Sequence, residues 1–274
     1  MLEPAGIAIE PGHCLGGLPD SDADGLADEC ELALARAFAP LLMTHATRCT
    51  LPSIAPAVRI PGGYVYAAQP LRDGVHLIYM PAYYRDCGWR GAKCILVDCR
   101  GHAGDSELIV VHVRQGRNAG WYTDAVFLSA HCFGRMPWSC RWYRDDDLSE
   151  FAWNGGVDRG APVVWVSDAR NANYPSYQAC ERGHLGFDSC VRSAGQYRFP
   201  VISRRNIGSR NVPIRQPGEP AGCVTGEFVE PVDWLLVSAT ALECFWNPTV
   251  RFRGWQGSGE GATAYGAYLE HLGL

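Results

Sequence analysis

The sequence predicts a mainly β protein: an antiparallel β-sandwich with an N-terminal EF-hand-like calcium loop and a short helix. After residue 49, short runs of apolar, β-branched and aromatic residues alternate with clusters of Gly, Pro, Asn and Asp, which is a strand-and-turn pattern. Few helical stretches separate these runs, and a parallel sheet would need such crossovers, so antiparallel pairing is favoured. Twelve cysteines spread along the chain add a predicted disulfide framework.

Two domains are predicted, residues 1–48 with the lead-in, calcium loop and helix, and residues 49–274 with the sandwich. The helix is expected to begin at Glu29 and to end near Ala39, because strong helix formers stop at Pro40. The predicted strands are Tyr64–Ala68, Val75–Met80, Glu107–Arg114, Asp124–Ala130, Pro162–Ser167, Trp234–Val237 and Val250–Phe252.

The charge balance argues against nucleic acid as a partner. The chain has 24 basic and 29 acidic residues, a net charge of −5, which gives no positive field to gather a polyanion. Lys93 is the single lysine, an arginine bias typical of a GC-rich bacterial genome. The longest apolar run, near Trp234 to Trp246, contains Glu243 and is too short for a transmembrane segment. A soluble protein is therefore predicted.

Cysteine usage predicts export. The twelve cysteines are even in number and no pair has the C-x-x-C spacing typical of zinc sites, so disulfides are favoured over metal. Cys14 is expected to hold the lead-in, Cys30 to add a covalent tie at the calcium loop, and Cys180 and Cys190 are close enough to close a local loop. No signal peptide is recognisable at the start, so a mature secreted form is predicted, extracellular, periplasmic or at the cell surface.

Residues 20–31 have the composition and spacing of a twelve-residue calcium loop. Such a loop needs oxygen ligands at positions 1, 3, 5, 7, 9 and 12, the seventh through a backbone carbonyl, and glycine at position 6 for a sharp turn. Gly25 occupies position 6. The predicted Ca²⁺ ligands, in order, are Asp20, Asp22, Asp24, Leu26, Asp28 and Glu31. The alternative interpretation is an acidic, solvated turn that caps the following helix.

No helix is predicted before this loop, because Gly16, Gly17 and Pro19 stand where one would be. A paired sensor hand that opens on calcium binding is therefore not expected. We expect instead a fixed structural Ca²⁺ that pins the short helix and the N-terminal segment.

A second cluster, His102, Asp105 and Glu107, precedes a strongly apolar strand. Side chains alternate along a strand, so Asp105 and Glu107 are expected on one face, and His102 is expected in the preceding turn, free to swing towards them. This set suits a second divalent metal, Ca²⁺, Mg²⁺, Mn²⁺ or Zn²⁺, and His131 is a candidate fourth ligand. The alternative is a satisfied polar cluster at a strand entry.

The same cluster carries a family resemblance. Tyr79-Met80-Pro81 followed by Gly101-His102-x-x-Asp105-x-Glu107 resembles the Tyr-Met-Pro strand and the Gly-His-Arg-His-Asp-Trp-Glu heptad of the necrosis- and ethylene-inducing-peptide-like cytolysins. The resemblance implies a β-sandwich in which His102, Asp105 and Glu107 hold a divalent metal, with Asp86 as a further ligand. The heptad's second His and its Trp are replaced by Gly104 and Ser106, which argues against cytolytic activity.

A wider resemblance, over about residues 36–257, is to the vacuolar protein sorting-associated protein 62-like family of secreted bacterial type. It rests on the order of short motifs, among them Ser129-Ala130-His131, Val164-Trp165-Val166 and Asn206-Ile207-Gly208. Asn171 stands where that family has a histidine in its Ser-His-Ala-x-Tyr motif.

Three functional hypotheses follow. The first is a secreted calcium-binding sandwich whose metal-containing cleft binds a polar ligand, a glycan or a lipid headgroup. The second is a metal-dependent hydrolase that uses the same cleft, with the ion activating a water; Ser129 and Ser167 lack the G-x-S-x-G context of a serine hydrolase. The third is an extracellular structural or surface-assembly protein with a vestigial cleft. Composition does not distinguish them, and it does not indicate an oligomeric state.

Overall fold

A computed structural model describes residues 6–9, 14, 17–45, 64–86, 88, 102–130, 141–168, 170–183, 188–197, 201, 206, 208, 228–229 and 251–252. Across these residues the chain forms two large β-sheets, one short strand pair and two α-helices. The prediction of a mainly β fold is confirmed, and the arrangement fits a sandwich broadly.

The larger sheet has six strands, all paired antiparallel. Its order is β2-β3-β5-β6-β7, and β4 pairs with the far end of the long strand β3. Short hairpin connections join β2 to β3 and β5 to β6, as expected for antiparallel strands that follow one another in the chain. The strands are β2 (Tyr64–Leu71), β3 (Gly74–Asp86), β4 (His102–Ser106), β5 (Ile109–Gln115), β6 (Trp121–Leu128) and β7 (Arg141–Arg144).

The second sheet has five strands in the order β10-β9-β1-β11, with β8 paired to β9. Its central pair, β1 and β9, is parallel, so the prediction of an antiparallel sandwich is corrected to a mixed one. A parallel pair needs a long crossover. Here the crossover contains the whole six-stranded sheet, which lies between β1 and β9 in the chain. The strands are β1 (Leu41–Thr44), β8 (Ala152–Trp153), β9 (Pro162–Val166), β10 (Asn173–Tyr174) and β11 (Gly195–Tyr197).

A further short pair, β12 (Phe228–Val229) with β13 (Arg251–Phe252), is also parallel. The predicted strand at residues 250–252 is therefore present, whereas the one predicted at residues 234–237 lies outside the described residues. The other predicted strands correspond to β2, β3, β5, β6 and β9, with ends that differ by a few residues.

The predicted helix is α1 (Asp28–Ala37), which ends before Pro40 as expected, with the Phe38 N–H donating to the Leu34 carbonyl at 3.0 Å. The second helix, α2 (Tyr177–Arg182), begins at Ser176, whose side chain accepts from the Ala179 N–H. Two 3₁₀ segments, Asp145–Glu150 and Asn154–Gly156, connect β7, β8 and β9. In the described part of the chain, no helix is long and apolar enough to cross a membrane.

The main core lies between the sheets and includes the buried face of α1. Leu34 and Phe38 of the helix are fully buried together with strand residues such as Leu77 and Val164. The Tyr79 hydroxyl of β3 donates to the Ala35 carbonyl at 2.9 Å and joins the end of α1 to the larger sheet. The helix therefore packs on the same core as both sheets; the division of the chain at residues 48 and 49 stays a prediction.

Two disulfides are present in the described part, Cys14–Cys30 and Cys180–Cys190, and no described cysteine is free. The first fastens the lead-in to α1, and the second joins α2 to the segment before β11. Disulfide use is confirmed at these positions.

Candidate functional site

The first half of the predicted calcium loop brings three carboxylates together. One oxygen from each of Asp20, Asp22 and Asp24 lies within 4.8 Å of the others, close enough for one metal ion to contact all three. Gly25 has φ of +97°, a left-handed conformation that favours glycine, so the turn predicted at position 6 is present. This acidic cluster can hold a metal ion; the full EF-hand-like ligand set stays a prediction.

Hydrogen bonds to backbone amides fix two of these carboxylates. The Asp20 carboxylate accepts from the Gly25 N–H at 2.9 Å and from the Asp24 N–H at 3.3 Å. Asp24 Oδ1 accepts from the Leu26 N–H at 2.8 Å, while its Oδ2 is buried and has no hydrogen-bond partner among the described residues. Backbone N–H groups of the loop therefore donate to the loop's own carboxylates, and the buried Oδ2 of Asp24 accepts no hydrogen bond from the described residues.

Asp28, the predicted ninth-position ligand, joins the two ends of the loop. Its carboxylate accepts from the Ser21 N–H at 2.8 Å and from the Ser21 hydroxyl at 2.6 Å. Its own N–H donates to the Pro19 carbonyl at 2.9 Å. These three hydrogen bonds connect Pro19 and Ser21, at the start of the segment, to Asp28.

Two carboxylates of this loop are completely buried. Asp22 and Glu31 both have 0% exposure, which does not fit the alternative of a solvated acidic turn. Burial, followed by the charge of Asp24, raises the pKa of Asp22 to about 7. Burial, followed by the charges of Asp22 and Asp24, raises the pKa of Glu31 to about 9. Clustered carboxylates in a low-dielectric setting are hard to ionise, and a bound cation removes that penalty.

Glu31 also connects the loop to a distant part of the chain. Its Oε2 accepts from the Asn206 side-chain amide at 2.7 Å, while Oε1 is buried without a hydrogen-bond partner among the described residues. Asn206 forms a parallel β-bridge with Tyr66, and its Oδ1 accepts from the Gly208 N–H at 3.0 Å. Asn206 is a supporting residue that sequence reasoning missed: it occurs in a quoted motif, but nothing in the motif assigns it to the loop.

The second cluster differs from its prediction in local structure. His102 is the first residue of β4, paired with Asp86, so the expectation that it lies in a turn is wrong. The far end of β3 extends beyond β5 and gives these residues a partner, Tyr83 pairing with Asp105. The side chains of His102 and Asp105, and the whole of His131, lie outside the described residues, so their convergence stays a prediction.

Glu107, the remaining member, follows β4 and is buried, with 5% exposure. It lies in the two-residue break before β5, which explains why the strand predicted from Glu107 begins later. The Ser129 hydroxyl donates to its carboxylate, and the Leu108 N–H donates to the Ser129 hydroxyl at 2.7 Å. Ser129 therefore orients Glu107, a role that its occurrence in a short motif did not reveal.

The two large sheets meet beside Glu107. The Asn173 N–H of β10 donates to the Ser129 carbonyl at 3.0 Å, at the end of β6. The Tyr174 hydroxyl donates to the buried Asp188 carboxylate, and burial, Asp188 and Glu107 together raise the pKa of Tyr174. We call Glu107, Ser129 and Asn173 the polar corner.

No family model matches the chain, and no curated protein matches it. The resemblance to the vacuolar protein sorting-associated protein 62-like family therefore gains no support. Among solved structures, "NLPPya in complex with glucosamine" is similar over 68% of this chain and 78% of that one, with 16% identity and a TM-score of 0.38. "NLPPya in complex with mannosamine" covers 68% and 79%, with 16% identity and a TM-score of 0.37.

A third structure, "Toxin fold for microbial attack and plant defense", covers 76% of this chain and 84% of that one, with 15% identity and a TM-score of 0.36. The structural neighbours are thus toxins of the necrosis- and ethylene-inducing-peptide-like group. This similarity is distant, and we draw no conclusion about the site of this chain from it.

Proposed function

We propose that the protein is a secreted, disulfide-stabilised, calcium-binding β-sandwich protein. The observation that carries the calcium site is the burial of Asp22 and Glu31 within a cluster of further carboxylates. A ligand set made only of oxygen atoms suits Ca²⁺, and the number of ligands exceeds what Mg²⁺ usually takes from protein. The residues that would hold the ion are Asp20, Asp22, Asp24, Leu26 through its carbonyl, Asp28 and Glu31.

The role we assign to this ion is structural. Glu31 belongs to α1, accepts from Asn206, and follows Cys30, which is bonded to Cys14. An ion held by Glu31 would therefore stabilise the contacts among the helix, the lead-in and the segment at Asn206.

Calorimetric titration with Ca²⁺ tests this proposal. Wild-type protein should bind one Ca²⁺, and Glu31→Gln should weaken binding at least tenfold, because the bidentate twelfth-position carboxylate is lost. Glu29→Gln is the matched control: Glu29 is exposed in the same helical turn, so its variant should bind like wild type. Equal affinity in all three proteins, or no heat of binding in wild type, would contradict the calcium site.

We also propose a metal-containing cleft beside the polar corner that binds a glycan or lipid headgroup. The residues that would hold its divalent metal are His102, Asp105, Glu107 and His131. Support comes from the buried, hydrogen-bonded carboxylate of Glu107 at the junction of the two sheets. Export is supported by the disulfides.

Ligand binding should be measured with glucosamine and mannosamine in solution, and with phosphatidylcholine vesicles that contain or lack glucosylceramide. Binding to the free sugars indicates a glycan cleft, and binding only to glucosylceramide vesicles indicates a lipid headgroup. Glu107→Gln should reduce whichever binding is found, together with the stoichiometry of Mn²⁺ or Zn²⁺. Absence of binding to every probe would refute the cleft.

A further inference from the structure

We propose that Asn206 is a positioning residue of the calcium site, which holds the Glu31 carboxylate in place for the ion and thereby favours Ca²⁺ over Mg²⁺. This inference rests on the proposed calcium site. It adds to that site a residue that lies 175 positions from Glu31 in the chain and outside the predicted ligand set.

The first observation is that the buried Glu31 carboxylate is held at one oxygen and unused at the other. Its Oε2 accepts from the Asn206 side-chain amide at 2.7 Å, while its Oε1 accepts no hydrogen bond from the described residues. The charges of Asp22 and Asp24 act most strongly on Glu31, so its carboxylate is close to the acidic cluster. A fully buried carboxylate oxygen without a donor, beside further carboxylates, suits a cation.

The second observation is that the backbone fixes the orientation of the Asn206 amide. The Gly208 N–H donates to Asn206 Oδ1 at 3.0 Å, so the opposite end of the amide, the Nδ2 donor, is the one directed at Glu31. Gly208 has φ of +71°, a left-handed conformation that favours glycine. The bridge to Tyr66 holds Asn206 at the edge strand β2 of the larger sheet. None of these contacts involves the calcium loop.

The third observation is a second contact between α1 and the same part of the chain. Arg36, further along α1 than Glu31, donates from Nε to the Val201 carbonyl at 3.1 Å. Val201 is buried and belongs to the main core. The helix is therefore joined on one side to Val201 and to Asn206, which limits how far Glu31 can move relative to its donor.

A neutral donor suits this position better than a cation would. An arginine or lysine in place of Asn206 would form an ion pair with Glu31 and compete with the metal, whereas an amide leaves the negative charge available. Each carboxylate oxygen has two lone-pair sites, so Oε2 can accept from Asn206 and also contact an ion. The twelfth-position glutamate gives both oxygens to Ca²⁺, while Mg²⁺ takes fewer protein ligands. A fixed Glu31 therefore favours Ca²⁺ more than Mg²⁺.

The test uses two variants, each with a matched control. Asn206→Leu removes the amide donor, and its control, Thr123→Val, removes a buried hydroxyl that donates to the Gly160 carbonyl on β6, three strands from β2. Gly208→Ala strains the turn but keeps the amide. Its control, Gly155→Ala, strains a glycine of φ +70° in the segment between β8 and β9.

We measure Ca²⁺ affinity by calorimetry, Mg²⁺ affinity by competition with Ca²⁺, and the urea unfolding midpoint in chelator. Asn206→Leu should weaken Ca²⁺ binding about tenfold, the loss of a hydrogen bond to a charged group, and Mg²⁺ binding by no more than about threefold. Gly208→Ala should change both affinities in the same direction by a smaller factor. Thr123→Val and Gly155→Ala should lower the unfolding midpoint and leave both affinities unchanged.

The possible failures are distinguishable. If Glu31→Gln weakens Ca²⁺ binding and Asn206→Leu binds like wild type, the calcium site stands and the role of Asn206 is wrong. Equal losses of Ca²⁺ and Mg²⁺ affinity in Asn206→Leu would overturn its part in selectivity. If wild type binds no Ca²⁺, the calcium site fails and the role of Asn206 fails with it. Should Asn206→Leu not fold, Gly208→Ala decides: an affinity equal to that of Gly155→Ala would overturn the proposal.

Discussion

Two glutamates in the first turn of α1 show how position on a helix decides what a carboxylate can do. Glu29 is exposed and Glu31 is completely buried, because residues two apart on a helix point about 200° away from each other. Glu31 therefore faces Asp22 and Asn206, where its ionisation is costly without a cation. The same residue type is a surface charge at one position and a candidate metal ligand at the other.

His76 and His112 form a second pair of residues with perturbed ionisation. They are cross-strand partners on β3 and β5, with ring centroids 4.9 Å apart, and His76 also packs against Trp142. Burial, followed by repulsion from His112, lowers the pKa of His76 to about 4, with Asp73 opposing and Arg144 adding to the shift. Both imidazoles are thus expected to be neutral at pH 7.

This lowered pKa predicts a loss of stability in acid. The unfolded chain takes up a proton on His76 below about pH 6.5, whereas the folded chain does so only near pH 4. The free energy of unfolding therefore decreases as the pH is lowered from 6.5 to 4. The contribution of His76 is on the order of 2 kcal/mol after allowance for its partial exposure. Urea unfolding in saturating Ca²⁺ should show a smaller loss for His76→Phe, which keeps a ring against Trp142. An identical pH dependence in both proteins would rule out His76 as its source.

At the scale of elements, the parallel pairing of β1 with β9 decides the architecture. β1 directly follows the predicted calcium loop and α1 in the chain. Its pairing with β9 therefore holds the N-terminal helix, and the loop before it, against the core. The strands between β1 and β9 then form the opposing sheet. Contacts of such high sequence separation cost loop-closure entropy when the chain folds.

The disulfides allow stability and calcium binding to be separated. Cys14–Cys30 and Cys180–Cys190 close loops of similar length, with sequence separations of 16 and 10. Replacing either pair by serines should lower the free energy of unfolding by about 3 kcal/mol. Only the Cys14→Ser/Cys30→Ser variant should also lose Ca²⁺ affinity, because Cys30 adjoins Glu31. Titration calorimetry and urea unfolding measure the two effects, and equal Ca²⁺ affinity in both double variants would separate the disulfide from the loop.

At the scale of the whole molecule, a structural Ca²⁺ should make stability depend on calcium concentration. A ligand that binds only the folded state at 100 times its dissociation constant adds about 2.7 kcal/mol. For a chain of this length that corresponds to a rise in Tm of roughly 5–10 °C. Scanning calorimetry with Ca²⁺ and with a chelator should show this difference in wild type, and about half of it or less in Glu31→Gln, whose Ca²⁺ affinity is expected to be at least tenfold lower. An equal Tm of the wild-type protein with Ca²⁺ and with chelator would argue against a structural ion.

Local features of this protein followed from the sequence alone. Helix formers before Pro40 placed α1, and alternating apolar runs placed six of the thirteen described strands, β2, β3, β5, β6, β9 and β13. The spacing of Asp20, Asp22 and Asp24 identified the acidic cluster. Each of these depends on residues close together in the chain, where propensity and side-chain periodicity act directly. The prediction that His102 lies in a turn failed because its strand is set by pairing with a distant part of β3.

Tertiary structure decided what those local features contact. The parallel β1–β9 pair, the burial of Asp22 and Glu31, the hydrogen bond from Asn206 to Glu31, and the junction of Asn173 with Ser129 all join residues far apart in the sequence. Burial and pairing of this kind depend on which faces meet across the core, and no local pattern encodes that choice. The sequence determined which residues can bind a cation, and the fold determined that two of them are buried at 0% exposure, where their ionised forms need one.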